Sequence, residues 1–552
     1  MVVPFALPLM EPGWLQSHEG LSYPQRLMQV ARCWADGMIS ARWFPDFNNG
    51  QGYPFLSFYA PFLFFAAGLL HTAGASLTLA LKIPVLFGAL AGAAGAYRLT
   101  RLGAGPAGAL VAAVLYTYAP YRLRDIFIRG DLTEYIATGM LPWALFALIR
   151  LGHSREIRDV LLVVLTGSLA ILTHNILGMF TGVMMLVTTL WTMAFTPQRI
   201  RTGVAAAIGG IGTLWLTAFF WASALFEKKF VQIEEMTTGV LAIERNFIAP
   251  SRLIGPAEYP GVSQDLPMSF ELGWPVLGCL LLAPLAFRGA SPRRKTLLGV
   301  AFTALLSGAF LSTTASAPVY DALPLLQFVQ FPWRYLSLVS LGAAVLGGLG
   351  IGALLDAILR TGPDRRRDAL RAAAVGLIGI LTVVSAAPLL GPKRNVPVPD
   401  WAVDPEEIAK RIVTATSSGE YLPVTVTERE IARGFRDGIK VLGDAEVQDA
   451  VRSVGRYAFT AVAAEPVTVV LRDVHYPGWR ATVNGEPHAI GPRERSGQLE
   501  MALPAGRHEV RVSLHATPFR RGAYATSLVA LAVALGALVV SWFRTRNPTG
   551  GS

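Results

Sequence analysis

Residues 14–59 read WLQSHEGLSYPQRLMQVARCWADGMISARWFPDFNNGQGYPFLSFY, and the rest of the chain is organised around them. The stretch is polar and aromatic, rich in glycine and proline, and lies between apolar segments. His18 and Glu19 lie near its start, and Asp46 lies past its middle. We interpret this stretch as an extracytoplasmic loop that carries a reactive carboxylate over the mouth of a helix bundle.

The remaining sequence is apolar enough to build such a bundle. Of its 552 residues, 53% are hydrophobic and 15% are charged, whereas about 25% are charged in a typical soluble protein. It contains many apolar runs of about 17–25 residues, which is the length of a helix that spans a bilayer. We therefore predict a polytopic α-helical membrane protein with about eleven to thirteen transmembrane helices, since lipid admits only a backbone that is hydrogen-bonded within itself.

The distribution of charge indicates which loops lie on which side. The formal net charge is +11, and many basic residues lie in short loops between apolar runs, as in cytoplasmic loops of membrane proteins. Loops at residues 150–158, 199–201, 288–295 and 360–367 are therefore expected inside. Nucleic acid is not an expected partner. Cys33 and Cys279 lie too far apart in sequence to suggest a disulfide framework or a metal motif.

Three regions follow from these patterns. Residues 1–390 are expected to form the transmembrane domain, with the first outer loop at 14–53. Within it, residues 54–70 are either a re-entrant or interfacial helix or an exception to the charge rule. Residues 391–521 are expected to form an extracytoplasmic domain, first α/β and then β-sandwich-like, and 522–552 the last span and a cytoplasmic tail. Asn484-Gly485 predicts a two-residue hairpin of type I′.

The ionisable residues that map to the outer side form the candidate site. Arginine forks bind phosphate, and a carboxylate can accept a proton from a hydroxyl or an amine. Such residues beside apolar walls could hold a lipid with an anionic head. The candidates are His18, Glu19, Asp46, Arg122, Arg124, Asp125, Arg129, Asp131, Glu134, His174 and Arg334.

Several candidates also have a purely structural interpretation. Asp131 and Glu134 have the spacing of a helix N-cap and its capping-box partner. His174 is also compatible with a hydrogen-bonded histidine at a helix end, Asp46 with a turn, and the run 121–125 with a belt of snorkelling arginines at the membrane surface. A metal site formed by Glu19, Asp131 and His174 is conceivable, since Mg²⁺ or Mn²⁺ prefers oxygen ligands. No cofactor is certain from the sequence.

Several short motifs together resemble one family. They are SHEG at 17–20, WFPDFNNGQGYPFLSFYAP at 43–61, RGDLTEYIA at 129–137, LTHN at 172–175 and QFPWRYL at 330–336. The later motifs EYLP at 420–423 and VHYPGWRATVNGEPHAI at 474–490 complete the set. In order and spacing they resemble the polytopic GT-C glycosyltransferases, in particular bacterial members that end in an extracytoplasmic β-domain.

The resemblance implies a function and a location. It implies sugar transfer from a polyprenyl-phosphate-linked donor to a glycan, protein or lipid acceptor, at the outer side of a bacterial cytoplasmic membrane. Glu19 matches the position of the base, where most relatives carry Asp, and a single displacement would invert the anomeric centre. The second acid falls on Asp125, Asp131 or Glu134. The alternatives are a lipid-linked-sugar transporter, a non-catalytic assembly platform and a degenerate transferase kept as a scaffold.

Overall fold

The computed structural model describes residues 1–154, 156–255, 268–359, 364–392, 394–411, 419–428, 435 and 437–546. Parts of the loops expected at 150–158 and 360–367, residues 256–267, parts of 391–521, and the end of the tail lie outside these residues. Helices dominate the chain as far as residue 386. Strands dominate from residue 439 to residue 514, before a last long helix. This order agrees with the predicted fold class.

The described helices fall into three stretches along the chain. The first holds α1 Val3–Met10, α2 Ser22–Ala35, α3 Phe47–Gly50, α4 Phe62–Thr72, α5 Leu77–Thr100, α6 Pro106–Thr117 and α7 Pro120–Arg124. The second holds α8 Leu132–Ser154, α9 Ile157–Thr173, α10 Asn175–Phe195, α11 Arg199–Leu216, α12 Ala218–Phe226 and α13 Trp274–Leu280. The third holds α14 Pro292–Leu311, α15 Ala317–Ala322, α16 Leu336–Ile358, α17 Asp364–Ala386, α18 Pro405–Ala409 and α19 Pro518–Arg546.

Among the described residues, seven helices are long and apolar enough to cross a membrane, or eight if the bent pair α11–α12 forms one span. This count is lower than the predicted eleven to thirteen. The difference arises where apolar runs form shorter helices, since α6 has 12 residues, α9 has 17 and α13 has 7. Helix α4 has 11 residues, which is too short to span a bilayer and fits the re-entrant or interfacial interpretation of residues 54–70.

The strands of the described residues form two antiparallel sheets and one short ribbon. They are β1 Trp14–Leu15, β2 Asn395–Val396, β3 Ile439–Leu442, β4 Ala445–Ser453, β5 Arg456–Ala463, β6 Val467–Val474, β7 Trp479–Val483, β8 Glu486–His488, β9 Gly491–Pro492, β10 Gln498–Leu503 and β11 Gly506–Leu514. Their order is β3-β6-β10-β9 in one sheet and β4-β5-β11-β7-β8 in the other. Buried side chains of both sheets belong to one hydrophobic cluster, as expected for two packed sheets.

The hairpin between β7 and β8 confirms the prediction at residues 484–485. Val483 pairs with Glu486, and both turn residues have positive φ, 53° at Asn484 and 86° at Gly485. A two-residue type I′ turn requires such angles because its twist matches that of the flanking strands.

The first loop is held between the helices and the sheets. Trp43 Nε1 donates to Asp473 Oδ1 of β6 at 2.6 Å, and Arg452 Nη2 of β4 donates to the other oxygen, Oδ2, at 3.1 Å. Arg472 Nη2 donates to the Asn49 carbonyl at 2.9 Å. At the start of the same loop, β1 pairs with β2. These bonds join the loop to the strand-rich region and fix its path over the helix ends.

Candidate active site

The loop residues around Glu19 are fixed by backbone hydrogen bonds to the segment that precedes α8. His18 N donates to the Ile128 carbonyl and Glu19 N to the Arg129 carbonyl, both at 3.0 Å. Gly130 permits this approach, because it has a φ of +77° and an added Cβ would lie 2.0 Å from Ser17 Oγ. The carboxylate of Glu19 is thus held beside the polar residues at the start of α8.

Glu19 lines an open cleft of about 340 Å³. Its side chain is 34% exposed, and Arg26 Nη2 lies 3.9 Å from Glu19 Oε2. The cleft is also lined by polar side chains from the helix ends and by aromatic side chains from the loops. The lining includes His18, Ser22, Arg26, Tyr59, Asp131, His174, Asn175, Gln330, Phe331, Arg334, Glu420 and Tyr421.

A buried ion cluster lies next to this cleft, with Arg129 at its centre. Arg129 Nη1 lies 3.1 Å from Asp125 Oδ1 and 2.5 Å from Glu134 Oε2, while Nη2 lies 3.1 Å from Asp131 Oδ2. Arg334 Nε donates to the same Glu134 oxygen at 3.0 Å. The backbone of Asp125–Arg129 forms a π-helical turn, a rare geometry that is frequent at functional sites.

The two structural interpretations of Asp131 and His174 are confirmed. Asp131 Oδ1 accepts a hydrogen bond from Glu134 N at 2.9 Å, so Asp131 caps α8. His174 Nδ1 accepts one from Leu177 N at 3.1 Å, so His174 caps α10. The Glu134 side chain bonds to the arginines instead of completing the capping box. Both caps also line the cleft, because both helices begin there.

The environments of Glu19 and Asp131, two carboxylates of the cleft, push their pKa values apart. The surrounding protein raises the pKa of Glu19 above its ordinary value by displacing water, and the nearby charge of Asp131 raises it further. Burial also opposes ionisation of Asp131, but the charge of Arg129 and the hydrogen bond from His174 outweigh it and hold the pKa of Asp131 well below its usual range. Glu19 is therefore more easily protonated than Asp131, which is held in its ionised form.

The structure distributes the predicted site residues over three places. His18, Glu19, Asp131, His174 and Arg334 line the cleft. Asp125, Arg129 and Glu134 lie behind them in the ion cluster. Asp125 is fully buried, and burial together with the charge of Glu134 raises its pKa well above the usual range.

The other three predicted residues bond elsewhere. Asp46 accepts from Gln29 Nε2 at 2.9 Å and pairs with Arg32. Arg122 is fully buried within the helix bundle, between the rings of Tyr116 and Tyr135. Arg124 Nη2 lies 2.5 Å from Glu271 Oε1. The structure therefore does not bring Asp46, Arg122 or Arg124 into the cleft.

Sequence reasoning missed several cleft residues, among them Arg26, Glu420 and Tyr421. Arg26 is buried, with its guanidinium about 5 Å from the rings of Tyr23, Phe55 and Tyr59. Tyr421 stacks on Phe58 at 5.3 Å, and its N–H donates to Tyr53 Oη at 3.1 Å. These contacts place Glu420, which is also buried, at the rim of the cleft.

Asp131, Glu134 and His174 place ligand atoms within 4.8 Å of one another, close enough to hold a metal ion. Their atoms are already in use, however. Asp131 Oδ2 faces Arg129 and His174, and Glu134 Oε2 faces Arg129 and Arg334. Because His174 Nδ1 accepts from Leu177 N, the neutral ring carries its proton on Nε2 and has no lone pair there. The residues as arranged do not fit a resident divalent ion.

We accordingly expect chelation to leave the protein unchanged. Adding excess EDTA, or Mg²⁺ or Mn²⁺ at millimolar concentration, is expected to shift the thermal unfolding midpoint by less than about 1 °C, because a ligand that is not bound contributes nothing to stability. Differential scanning fluorimetry of the purified chain measures this. A saturable rise with Mg²⁺ or Mn²⁺ that is lost in His174→Gln would contradict the argument and restore the metal predicted from the sequence.

The chain belongs to a family of membrane proteins. Residues 56–389 match the family model described as 6-pyruvoyl-tetrahydropterin synthase related domain, membrane protein. These residues include most of the described helices and most of the cleft, although Glu19 and Glu420 lie outside the match. No curated protein matches the sequence.

Several solved structures resemble the chain. The arabinofuranosyltransferase AftD from Mycobacteria has a TM-score of 0.44 and 17% identity, over 71% of this chain and 27% of its own. The oligosaccharyltransferase AglB from Archaeoglobus fulgidus was solved with an inhibitory peptide and dolichol-phosphate. It has a TM-score of 0.44 and 16% identity, over 76% of this chain and 60% of its own. ArnT from Cupriavidus metallidurans, bound to undecaprenyl phosphate, has a TM-score of 0.42 and 13% identity, over 74% of this chain and 73% of its own.

The chain spans about a quarter of the length of the first of these proteins and 60% of the length of the second.

Proposed function

We propose that this protein transfers a sugar from a polyprenyl-phosphate-linked donor to an acceptor at the extracytoplasmic face of a bacterial cytoplasmic membrane. One observation carries the proposal. The accessible carboxylate of Glu19, with its raised pKa, lines the same cleft as the cationic side chains of Arg26 and Arg334. A proton acceptor beside cations suits a reaction in which a nucleophile loses a proton and a phosphate leaves.

The proposed chemistry is a single displacement. Glu19 accepts the proton of the acceptor hydroxyl or amine while that oxygen or nitrogen attacks the anomeric carbon. The bond from the anomeric carbon to the phosphate oxygen breaks, and the polyprenyl phosphate leaves with the electron pair. Arg26 and Arg334 stabilise its added negative charge, so the transition state is bound more tightly than the donor. The product has the inverted anomeric configuration.

The distribution of basic residues supports the proposed sidedness. Asp131 and Glu134 lie at the start of α8 beside the cleft, while Arg150 lies near the other end of the same helix. Arg98 and Arg293 lie with Arg150 at that opposite end. Arginine-rich ends of transmembrane helices face the cytoplasm, which leaves the cleft outside.

A transporter or an assembly platform would bind the same lipid without turnover. An assay distinguishes these functions. Membranes of cells that overproduce the chain are incubated with a panel of labelled polyprenyl-phosphate hexoses and pentoses. We expect the release of polyprenyl phosphate together with labelled acceptor for one donor. Binding of a donor with no release from any member of the panel would favour a transporter or platform.

The two cleft arginines give a second measure in the same assay. Arg26→Gln and Arg334→Gln are each expected to raise the donor concentration at half-maximal rate about tenfold, because a charge-assisted hydrogen bond to phosphate contributes about 1.5–3 kcal/mol. Arg42→Gln is the matched control. Arg42 is also a buried arginine of the first loop, but its Nη2 donates to the Leu514 carbonyl and it lines a different cavity. Equal effects of Arg26→Gln and Arg42→Gln would remove the phosphate assignment.

A further inference from the structure

A second polar cavity lies at the end of the helix bundle opposite the cleft. Its volume is about 610 Å³, and it is lined by Arg98, Arg101, Phe146, Arg150, His153 and Arg293, among others. The two sites share α8. Glu134 lies in its first turn and His153 in its last, which separates them by about 28 Å at 1.5 Å per residue. The cavity therefore lies about one hydrocarbon thickness from the active site.

The charge of this cavity is not balanced by the protein. Arg150 Nε has an acidic partner, Asp159 Oδ1, at 2.6 Å. Within the described part of the chain, Arg98, Arg101 and Arg293 form no ion pair with an acid, and the lining contains no acidic side chain. Cations that converge on one cavity repel one another, and an anion bound among them would relieve this repulsion.

The positive-inside tendency explains why arginines are frequent at this end of the bundle, but it does not explain their convergence. Arg98 comes from α5, Arg150 from α8 and Arg293 from the first turn of α14. Phe146 and Tyr97 complete the wall of the cavity with apolar surface. Arginines that reach one cavity from three helices can bind several oxygens of one anion.

We infer that this cavity binds a phosphate-bearing anion. Phosphate oxygens match the forked donors of arginine, and basic cavities between helices at the cytoplasmic membrane surface are suited to anionic lipid headgroups. A phosphate group reaches the cavity either on a phospholipid or on a soluble molecule. This site is independent of the sugar transfer proposed above, because it shares no lining residue with the cleft.

The test uses the full chain purified in a neutral detergent. Its thermal unfolding midpoint is followed while phosphatidylglycerol, phosphatidylcholine, inorganic phosphate or diphosphate is added. We expect a saturable rise with an anionic ligand and none with phosphatidylcholine. Saturation by phosphatidylglycerol but not by phosphate or diphosphate identifies a lipid headgroup as the source. Saturation by either soluble anion identifies a soluble ligand.

Variants decide whether this cavity is responsible. Arg98→Gln with Arg293→Gln is expected to weaken the apparent affinity about thirtyfold, since each basic residue near an anionic headgroup contributes about fivefold. The corresponding double lysine variant keeps the charge and is expected to retain most of the affinity. Arg101→Gln alone is expected to weaken it less than the double glutamine variant.

The matched control is Arg199→Gln with Arg201→Gln. Both residues are exposed at the same end of the bundle, where Thr202 Oγ1 donates to the Gly152 carbonyl, but neither lines the cavity. We expect wild-type affinity in this control. Equal loss in the control and in the Arg98–Arg293 variant would overturn the inference, and so would the absence of any saturable rise in the wild-type protein.

Discussion

Replacing Glu19 with glutamine is expected to lower the rate of sugar transfer about 10²- to 10⁴-fold, the range over which a positioned general base contributes. Glutamine has nearly the same size but accepts no proton. Glu19 is held by its backbone N–H on the Arg129 carbonyl, and its carboxylate oxygen Oε2 lies 3.9 Å from Arg26 Nη2. The substitution is therefore expected to leave the fold and donor binding intact while removing the chemical step.

The pH dependence of the rate provides an independent measure of the same role. Glu19 accepts a proton only when it is ionised, so the rate is expected to fall as the pH is lowered through its raised pKa. Asp131→Asn removes the negative charge that contributes to this elevation. The pKa of Glu19 is then expected to fall, and the acid limb of the profile to move to lower pH. Initial rates across the acid range, at saturating donor, measure both profiles.

Glu19→Asp is the matched control, because it keeps the acid on a side chain that is one methylene shorter. It is expected to retain measurable turnover with an acid limb, whereas Glu19→Gln has neither. If Glu19→Gln turns over at the wild-type rate, the base is another group and the proposed mechanism is wrong. An acid limb that does not move in Asp131→Asn would separate Glu19 from the titration.

The local features of this fold were predictable from the sequence, because they depend on neighbouring residues. Asp131 caps α8 through a bond to Glu134 N, three residues later. Asn484 and Gly485 form the predicted hairpin, because few other residue pairs adopt two positive φ angles at low cost. Each of these features needs only a short stretch of sequence.

The positions of the arginine side chains at residues 122–129 in the fold could not be predicted in this way. Arg122, Arg124 and Arg129 lie within eight residues, and their spacing does not separate a membrane-surface belt from a site. The π-helical turn Asp125–Arg129 contains one more residue than an α-helical turn. Arg129 thereby reaches the acids of the cluster, whereas Arg122 lies between two tyrosine rings in the bundle. That turn has no clear sequence pattern.

The missed cleft residues come from contacts that are distant in sequence. Glu420 and Tyr421 reach the cleft from a segment that follows all but the last long helix, and Tyr421 packs against Tyr53 and Phe58 of the first loop. The EYLP motif at 420–423 was the available signal in the sequence, but this motif is also typical of a turn before a strand. The signal for Arg26 was its position in the first polar stretch, which also contains the aromatic residues that its guanidinium contacts.

Replacing Glu134 with glutamine is expected to cause the largest loss of stability. Glu134 is fully buried and faces two arginines, with Oε2 at 2.5 Å from Arg129 Nη1 and 3.0 Å from Arg334 Nε. Its other oxygen accepts from Tyr121 Oη at 2.5 Å. Replacing Glu134 removes the carboxylate that pairs with the buried Arg334, while Arg129 keeps its contact with Asp131. The loss of one partner of a buried ion pair costs about 3–5 kcal/mol. The thermal unfolding midpoint of the purified chain is expected to fall accordingly.

A double substitution and an exposed pair test this explanation. If the loss comes from uncompensated charge, Glu134→Gln with Arg129→Gln should be less destabilising than the sum of the two single substitutions. Arg511→Gln removes an exposed pair with Glu509, whose side chains are 72% and 59% exposed, and should shift the midpoint little because such pairs contribute little. Additive single effects, or equal shifts for Glu134→Gln and Arg511→Gln, would contradict the role of the cluster.

Because Glu19 N bonds to the Arg129 carbonyl, a destabilised cluster should also displace the base. The rate of sugar transfer by Glu134→Gln should therefore fall at temperatures below its own unfolding midpoint.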